Sequence, residues 1–151
     1  MPSTPMTPDR IKRVRCQGVH TEIAQDSSCR TRVEVEWTNG AVFQGEGQDT
    51  NTPHGRIRAG ALAALQAAEN ATGGALTLRL RGAKHIRAFD RHVVIVALRG
   101  RSEANRYDLI GSAAAPDDDL VRGAVLAVLN GTNRILGRYV RESTGRPGDS
   151  P

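Results

Sequence analysis

The stretch Arg32-Val33-Glu34-Val35-Glu36-Trp37-Thr38-Asn39-Gly40-Ala41-Val42-Phe43-Gln44-Gly45-Glu46-Gly47 decides the fold. Val33, Val35 and Trp37 alternate with Arg32, Glu34 and Glu36, the period of two that gives a strand one buried and one wet face. Asn39-Gly40 accepts positive φ at little cost and favours a tight hairpin, so residues 41–44 return antiparallel to the first strand. Upstream, residues 11–24, interrupted by Gly18, read as a third, irregular strand. Downstream, Gly45-Glu46-Gly47 reads as a loop leading to Thr52-Pro53, a cap and first-turn pair. Ile57, Ala61, Leu62, Leu65 and Ala68 then share one helical face, and Gly73-Gly74 ends the helix. The first half reads βββα.

The second half reads the same way. Leu76, Leu78 and Leu80 alternate with Thr77, Arg79 and Arg81 in a strand that bends near Gly82 and continues to Phe89. Val93-Val94-Ile95-Val96-Ala97-Leu98 is unbroken apolar sequence, as expected of a central strand covered on both faces. Residues 99–105 are polar and link it to Tyr107-Asp108-Leu109-Ile110, a return strand ending at Gly111-Ser112. Pro116 and three acids, Asp117 to Asp119, suit the positive start of a helix. That helix carries an apolar stripe from Leu120 to Leu136 and loosens at Gly131. Laying Val33-Glu34-Val35 over Val93-Val94-Ile95 and Gly45 over Gly111 displaces the halves by 60 and 66 residues. The expected fold is α+β: tandem βββα units, an internal pseudo-duplication, with helices on antiparallel sheet.

Composition bounds the class. The 151 residues suit one domain, and no run of about 18 apolar residues is present to span a bilayer. Prolines near the start and the Ser, Gly, Pro and Asp after residue 141 mark residues 1–9 and 141–151 as disordered tails. The folded domain is then 10–140, in halves 10–74 and 75–140. The 38% hydrophobic content includes only five aromatic residues, so valine, leucine and alanine must fill the core. Twenty-one basic residues, all arginine except Lys12 and Lys84, stand against sixteen acids, a net charge of +5. The arginines are scattered where a nucleic-acid footprint forms a block. Two cysteines, Cys16 and Cys29, and no secretory segment point to reduced thiols in the cytoplasm.

Two glycine-bearing strand ends, each before an alanine-rich helix, make the chain resemble the C-terminal regulatory and dimerisation domain of 2-isopropylmalate synthase. The resemblance spans roughly residues 10 to 140. Its closer part is Tyr107-Asp108-Leu109-Ile110-Gly111-Ser112 followed by the acidic helix start and residues 124–134, ending Asn133-Arg134. Val33 to Gly40 and Gly45-Glu46-Gly47 match the corresponding strand, turn and Gly-x-Gly of the first half. Two departures stand out. The family passes almost directly from Gly-x-Gly into Pro-Val-Asp-Ala, whereas Gln48 to His54 intervene here. The catalytic barrel with its metal-binding His-x-His is absent, so the synthase reaction does not carry over. The resemblance implies a homodimer that holds a branched-chain amino acid or related small acid near the glycine loops and helix starts, and a partner enzyme to regulate.

The residues give a physical basis for such a site. Helix starts carry unpaired N–H groups, and glycines let a ligand reach the backbone. Gly45, Gly47, Gly111 and Ser112 are therefore the expected ligand-binding residues, with Arg56 and Arg58 in the first turn of the first helix gripping an anion. Turn geometry is the simpler reading of the same glycines, and helix capping the simpler reading of the three acids. Catalytic patterns are missing: the four histidines lack metal-ligand spacing, no nucleophile elbow surrounds Ser112, and phosphate-loop and dinucleotide fingerprints are absent. Cys16, with Arg13 and Arg15 nearby, has a setting that lowers a thiol pKa but no histidine partner. The expectation is a non-enzyme without cofactor or metal. A ligand-free interaction scaffold is the alternative, and a nucleic-acid binder using Arg32, Arg79 and Arg81 a weaker one. The flank Ala59, Ala63, Ala64, Ala67 and Ala71 is expected to be buried between the halves or in a dimer.

Overall fold

The computed structural model describes residues 14–140, so both expected tails lie outside the described residues. Along the chain come β1 (Val14–Ile23), β2 (Ser28–Trp37), β3 (Val42–Thr50), α1 (Pro53–Ala71), β4 (Thr77–Ala88), β5 (Arg91–Arg101), β6 (Arg106–Ala114), a 3₁₀ turn at Pro116–Asp118 and α2 (Leu120–Leu136). The class is α+β, with two antiparallel sheets in the orders β1-β2-β3 and β4-β5-β6. The Asn39-Gly40 hairpin forms with Gly40 at φ 93°. The β4-β5 hairpin has no glycine in its turn: Phe89 and Asp90 lie between the strands at φ 54° and 60°.

The two helices lie between the sheets. Helix α1 packs on β3 and β2 and reaches β4 of the other sheet; α2 packs on β6 and β5 and reaches β1; the helices also touch each other. Packed against both sheets and the other helix, α1 buries a wide apolar surface that includes Ala59, Ala61, Ala63, Ala64, Ala67, Ala68 and Ala71, and leaves Gln66 and Asn70 exposed. The alanine flank is thus covered within one chain, and its burial needs no second copy.

Alanine alone does not bring the layers close enough; glycine opposite it does. Gly45 and Gly47 lie inside β3, and Gly111 and Ser112 inside β6, not in the loops expected from the sequence. None of the three glycines has positive φ. A Cβ on Gly45 would overlap the Ala63 carbonyl, and one on Gly47 would sit 2.6 Å from the Ala63 nitrogen. One on Gly111 would overlap the Ala127 carbonyl and lie 2.8 Å from the Gly131 nitrogen. Gly131 does not loosen α2, which runs through it unbroken; its bare Cα meets Gly111. The helices rest on strand backbone.

Side chains on the helices also close the sheet edges, where unpaired backbone groups would otherwise remain. On β3, Gln66 Oε1 accepts from Glu46 N at 2.8 Å and Asn70 Nδ2 donates to Gln44 O at 2.6 Å. On β6, Asn130 Nδ2 donates to Ser112 O at 2.8 Å. Glu69 Oε2 accepts from Leu78 N at 2.6 Å on β4, and Asn133 both accepts from Val14 N at 2.8 Å and donates to Val14 O at 3.0 Å on β1.

Strand β5 is central, as its sequence suggests, but is not covered on both faces. Val94, Val96 and Leu98 are buried, while Val93, Ile95 and Ala97 point outward and are only half-buried. The 3₁₀ turn, with Asp117 and Asp118 at positive φ, separates Pro116 from α2, so Asp119 alone caps that helix, accepting from Arg122 N at 3.1 Å.

Gly111→Ala should destabilise the protein by about 3 kcal/mol or more through overpacking against α2, measured by urea unfolding. Gly18→Ala, at an open position, should change stability by well under about 1 kcal/mol.

Candidate functional site

The six expected ligand residues are not gathered into one site. Gly45 and Gly47 lie under α1 and Gly111 under α2, with helix backbone on the side where each lacks a Cβ. Ser112 is exposed on the far face of β6. Helix backbone fills the side of Gly45 and Gly111 where a Cβ would stand, whereas Gly47 also lines a cleft of about 470 Å³ with Gln48, Leu62, Leu65, Gln66 and Leu78.

The arginines are engaged too. Arg56 Nη1 donates to Asn51 Oδ1 at 2.8 Å, and Arg58 Nε lies 3.2 Å from Asp49 Oδ2 in a pair about one-quarter to one-third exposed. Burial pushes the Asp49 carboxyl up, but hydrogen bonds from Thr50 and Arg58 outweigh it and leave the pKa below the ordinary carboxylate value. At the α1 start, Thr52 Oγ1 accepts from Gly55 N at 2.9 Å. Gly55 N, one of the donors expected for a carboxylate, already serves the cap.

Other reactive groups give no constellation. Among the described residues no group of three or more His, Cys, Asp or Glu is placed to hold a metal, and no helix is long and apolar enough to cross a membrane. His85 and His92 share a hydrogen bond of 2.7 Å between their rings. Cys29 is buried and its thiol points at Thr50 O, 3.5 Å away. Burial raises the Cys16 pKa, with Arg122 offsetting it only in part; Arg13, half of the basic setting read from the sequence, lies outside the described residues.

Further depressions open elsewhere on the surface. A cleft of about 640 Å³ opens where Gly74 and Ala75, the turn at Ser102–Asn105 and the end of α2 at Arg138 and Tyr139 meet. The Tyr107 and Tyr139 hydroxyls are hydrogen-bonded to each other there, and Tyr139 Oη also donates to Ser102 Oγ at 3.2 Å. Arg101 lines both this cleft and a second depression of about 390 Å³, whose other walls are Thr77, Arg79, Arg99, Gly100 and Arg106.

That depression belongs to a face of which the sequence pointed to Arg79 and Arg81 but not to their grouping with Arg99, Arg101 and Arg106. The β4-β5-β6 register sets the outward side chains in five rows: Thr77, Arg101, Arg106; Arg79, Arg99, Asp108; Gly82, Ala97, Ile110; Lys84, Ile95, Ser112; and Ile86, Val93, Ala114. Two rows are cationic and the rest largely apolar. The outward face of β1-β2-β3 differs, because its register sets Arg15 beside Glu36, Arg32 beside Glu46 and Arg30 beside Glu22. Residues 77–114 hold eight Lys or Arg against three Asp or Glu, while residues 14–50 hold three against six.

No protein-family model matches the chain, and no curated protein matches it.

Because its thiol is held protonated by burial, Cys16 should alkylate slowly at pH 7 and faster as pH rises above about 9. Iodoacetamide labelling read by mass spectrometry checks this; rapid labelling at neutral pH would contradict it.

Proposed function

We propose that this protein is a non-catalytic regulatory and dimerisation module, a pseudo-duplicated βββα protein similar to the 2-isopropylmalate synthase regulatory domain, that associates through the outward face of β4-β5-β6. The carrying observation is the uncovered outer side of β5. A strand apolar at Val93, Ile95 and Ala97 as well as at its buried positions calls for cover on both faces, and one chain covers only one. Ile110, beside Ala97, is 56% exposed, and Phe89 at the adjoining hairpin is 98% exposed. Exposed apolar patches of this kind mark interaction surfaces.

Shared irregularities support the duplication. The β1 pairing shifts between Cys16 and Gly18 and the β4 pairing between Leu80 and Gly82, 64 residues on. Ala63 and Ala67 face Gly45 as Ala127 and Gly131 face Gly111, and Glu69 clamps β4 as Asn133 clamps β1. Val33 pairs with Gly45 and Val96 with Gly111, which favours an offset of 63 residues for the middle strands over the 60 given by laying Val33-Glu34-Val35 on Val93-Val94-Ile95.

The reading keeps a small acid as ligand and a regulated enzyme as partner, but moves the ligand away from the helix-filled glycines. A purely structural scaffold would use the same apolar rows.

In sedimentation equilibrium at tens of micromolar the chain should be a dimer, and Ile95→Lys with Ile110→Glu should be monomeric with its far-ultraviolet spectrum unchanged. A monomeric parent protein at that concentration would refute the reading.

A further inference from the structure

We infer that the cationic end of the β4-β5-β6 outer face binds a compact ligand carrying two or more phosphate or carboxylate groups, held by Arg79, Arg99, Arg101 and Arg106. This deepens the small-acid reading above and rests on it for the ligand's regulatory meaning, while the binding site stands on its own geometry.

The register is the main argument. Arg79 lies directly opposite Arg99 across β4 and β5, and Arg101 directly opposite Arg106 across β5 and β6. Like charges in directly opposed positions repel and destabilise a sheet. The other sheet, built to a similar plan, avoids such pairs and sets acid beside base in three of its four outer rows. Adjacent strands are about 4.8 Å apart and same-face neighbours along a strand about 6.7 Å, so four guanidinium groups rise from one small patch. A single carboxylate answers them: Asp108, 76% exposed, lies 3.5 Å from Arg99 and 4.0 Å from Arg81. Among the described residues Arg79, Arg101 and Arg106 make no ion pair.

The shape narrows the ligand. The four arginines, Thr77 and Gly100 enclose about 390 Å³, the volume of a small-molecule site. Guanidinium forks hold carboxylate and phosphate oxygens two at a time, and four forks exceed what a single carboxylate can occupy. No aromatic side chain stands in the five outward rows, so the base-stacking platform of a single-strand binder is missing. The acidic sheet of a second copy is a poor occupant as well, because Glu36 and Glu46 are already paired with Arg15 and Arg32.

Calorimetric titration of the full chain with inorganic pyrophosphate, citrate and leucine tests the assignment. Pyrophosphate or citrate should bind and leucine should not. Arg79→Gln and Arg106→Gln should each weaken binding about tenfold or more. In the ligand-free protein at low salt the same variants should raise the melting temperature, since each removes a repulsive pair, and the gain should fade as salt screens it. Absence of binding by both polyanions at millimolar concentration, or binding unchanged in both variants, would overturn the inference. So would an Arg79-dependent complex with duplex DNA that pyrophosphate does not displace, which would assign the patch to a nucleic-acid backbone. Sedimentation of the same samples separates the two readings: a monomer that still binds pyrophosphate refutes the dimer alone, and a dimer that binds neither anion refutes this site alone.

Discussion

Direct contact between helix backbone and strand backbone is the constraint on which this molecule rests. Gly45 and Gly47 under α1, and Gly111 against Gly131 of α2, let each helix settle where a Cβ would otherwise stand. Close approach removes the space that larger side chains would fill, which is why seven of the eleven buried residues of α1 are alanine and why five aromatic residues suffice for the chain. It also brings Gln66, Asn70 and Asn130 within reach of the β3 and β6 edges, so the contact that packs the layers also satisfies their backbone groups. The depression lined by Arg79, Arg99, Arg101 and Arg106 lies on an outer face, away from this packed middle layer.

Those outer faces differ although both belong to three-stranded antiparallel sheets. Cross-strand neighbours on β1-β2-β3 are charge-matched, and those on β4-β5-β6 are sorted into cationic and apolar rows. Strand pairing fixes hydrogen-bond positions but leaves outward side chains free to vary, since exposed substitutions away from caps and pairs cost little. One face pairs its arginines with acids while the other carries both cationic and apolar surface.

Much of the architecture was readable from the chain because its signals are local. Alternation at Val33, Val35 and Trp37, the Asn39-Gly40 turn, the Thr52-Pro53 cap and the apolar stripe of α2 each depend on a few neighbouring residues. What could not be read depends on distant ones. Gly45, Gly47 and Gly111 look like turn glycines because nothing beside them in sequence announces a helix lying across the strand. The Phe89-Asp90 turn lacks the glycine that usually betrays a two-residue hairpin. The arginine rows appear scattered along the chain, since Arg79 and Arg99 become neighbours only when β4 and β5 pair in this register.

The hydrogen bonds from Asn133 to Val14 join residues 119 apart in sequence, and each helix leans on a strand from the opposite half. Neither half is therefore a finished body. A chain still emerging from the ribosome must leave the edge of β1 open until its final helix arrives, so the two halves gain their order together and late, and a shortened product would present a bare strand edge to its neighbours.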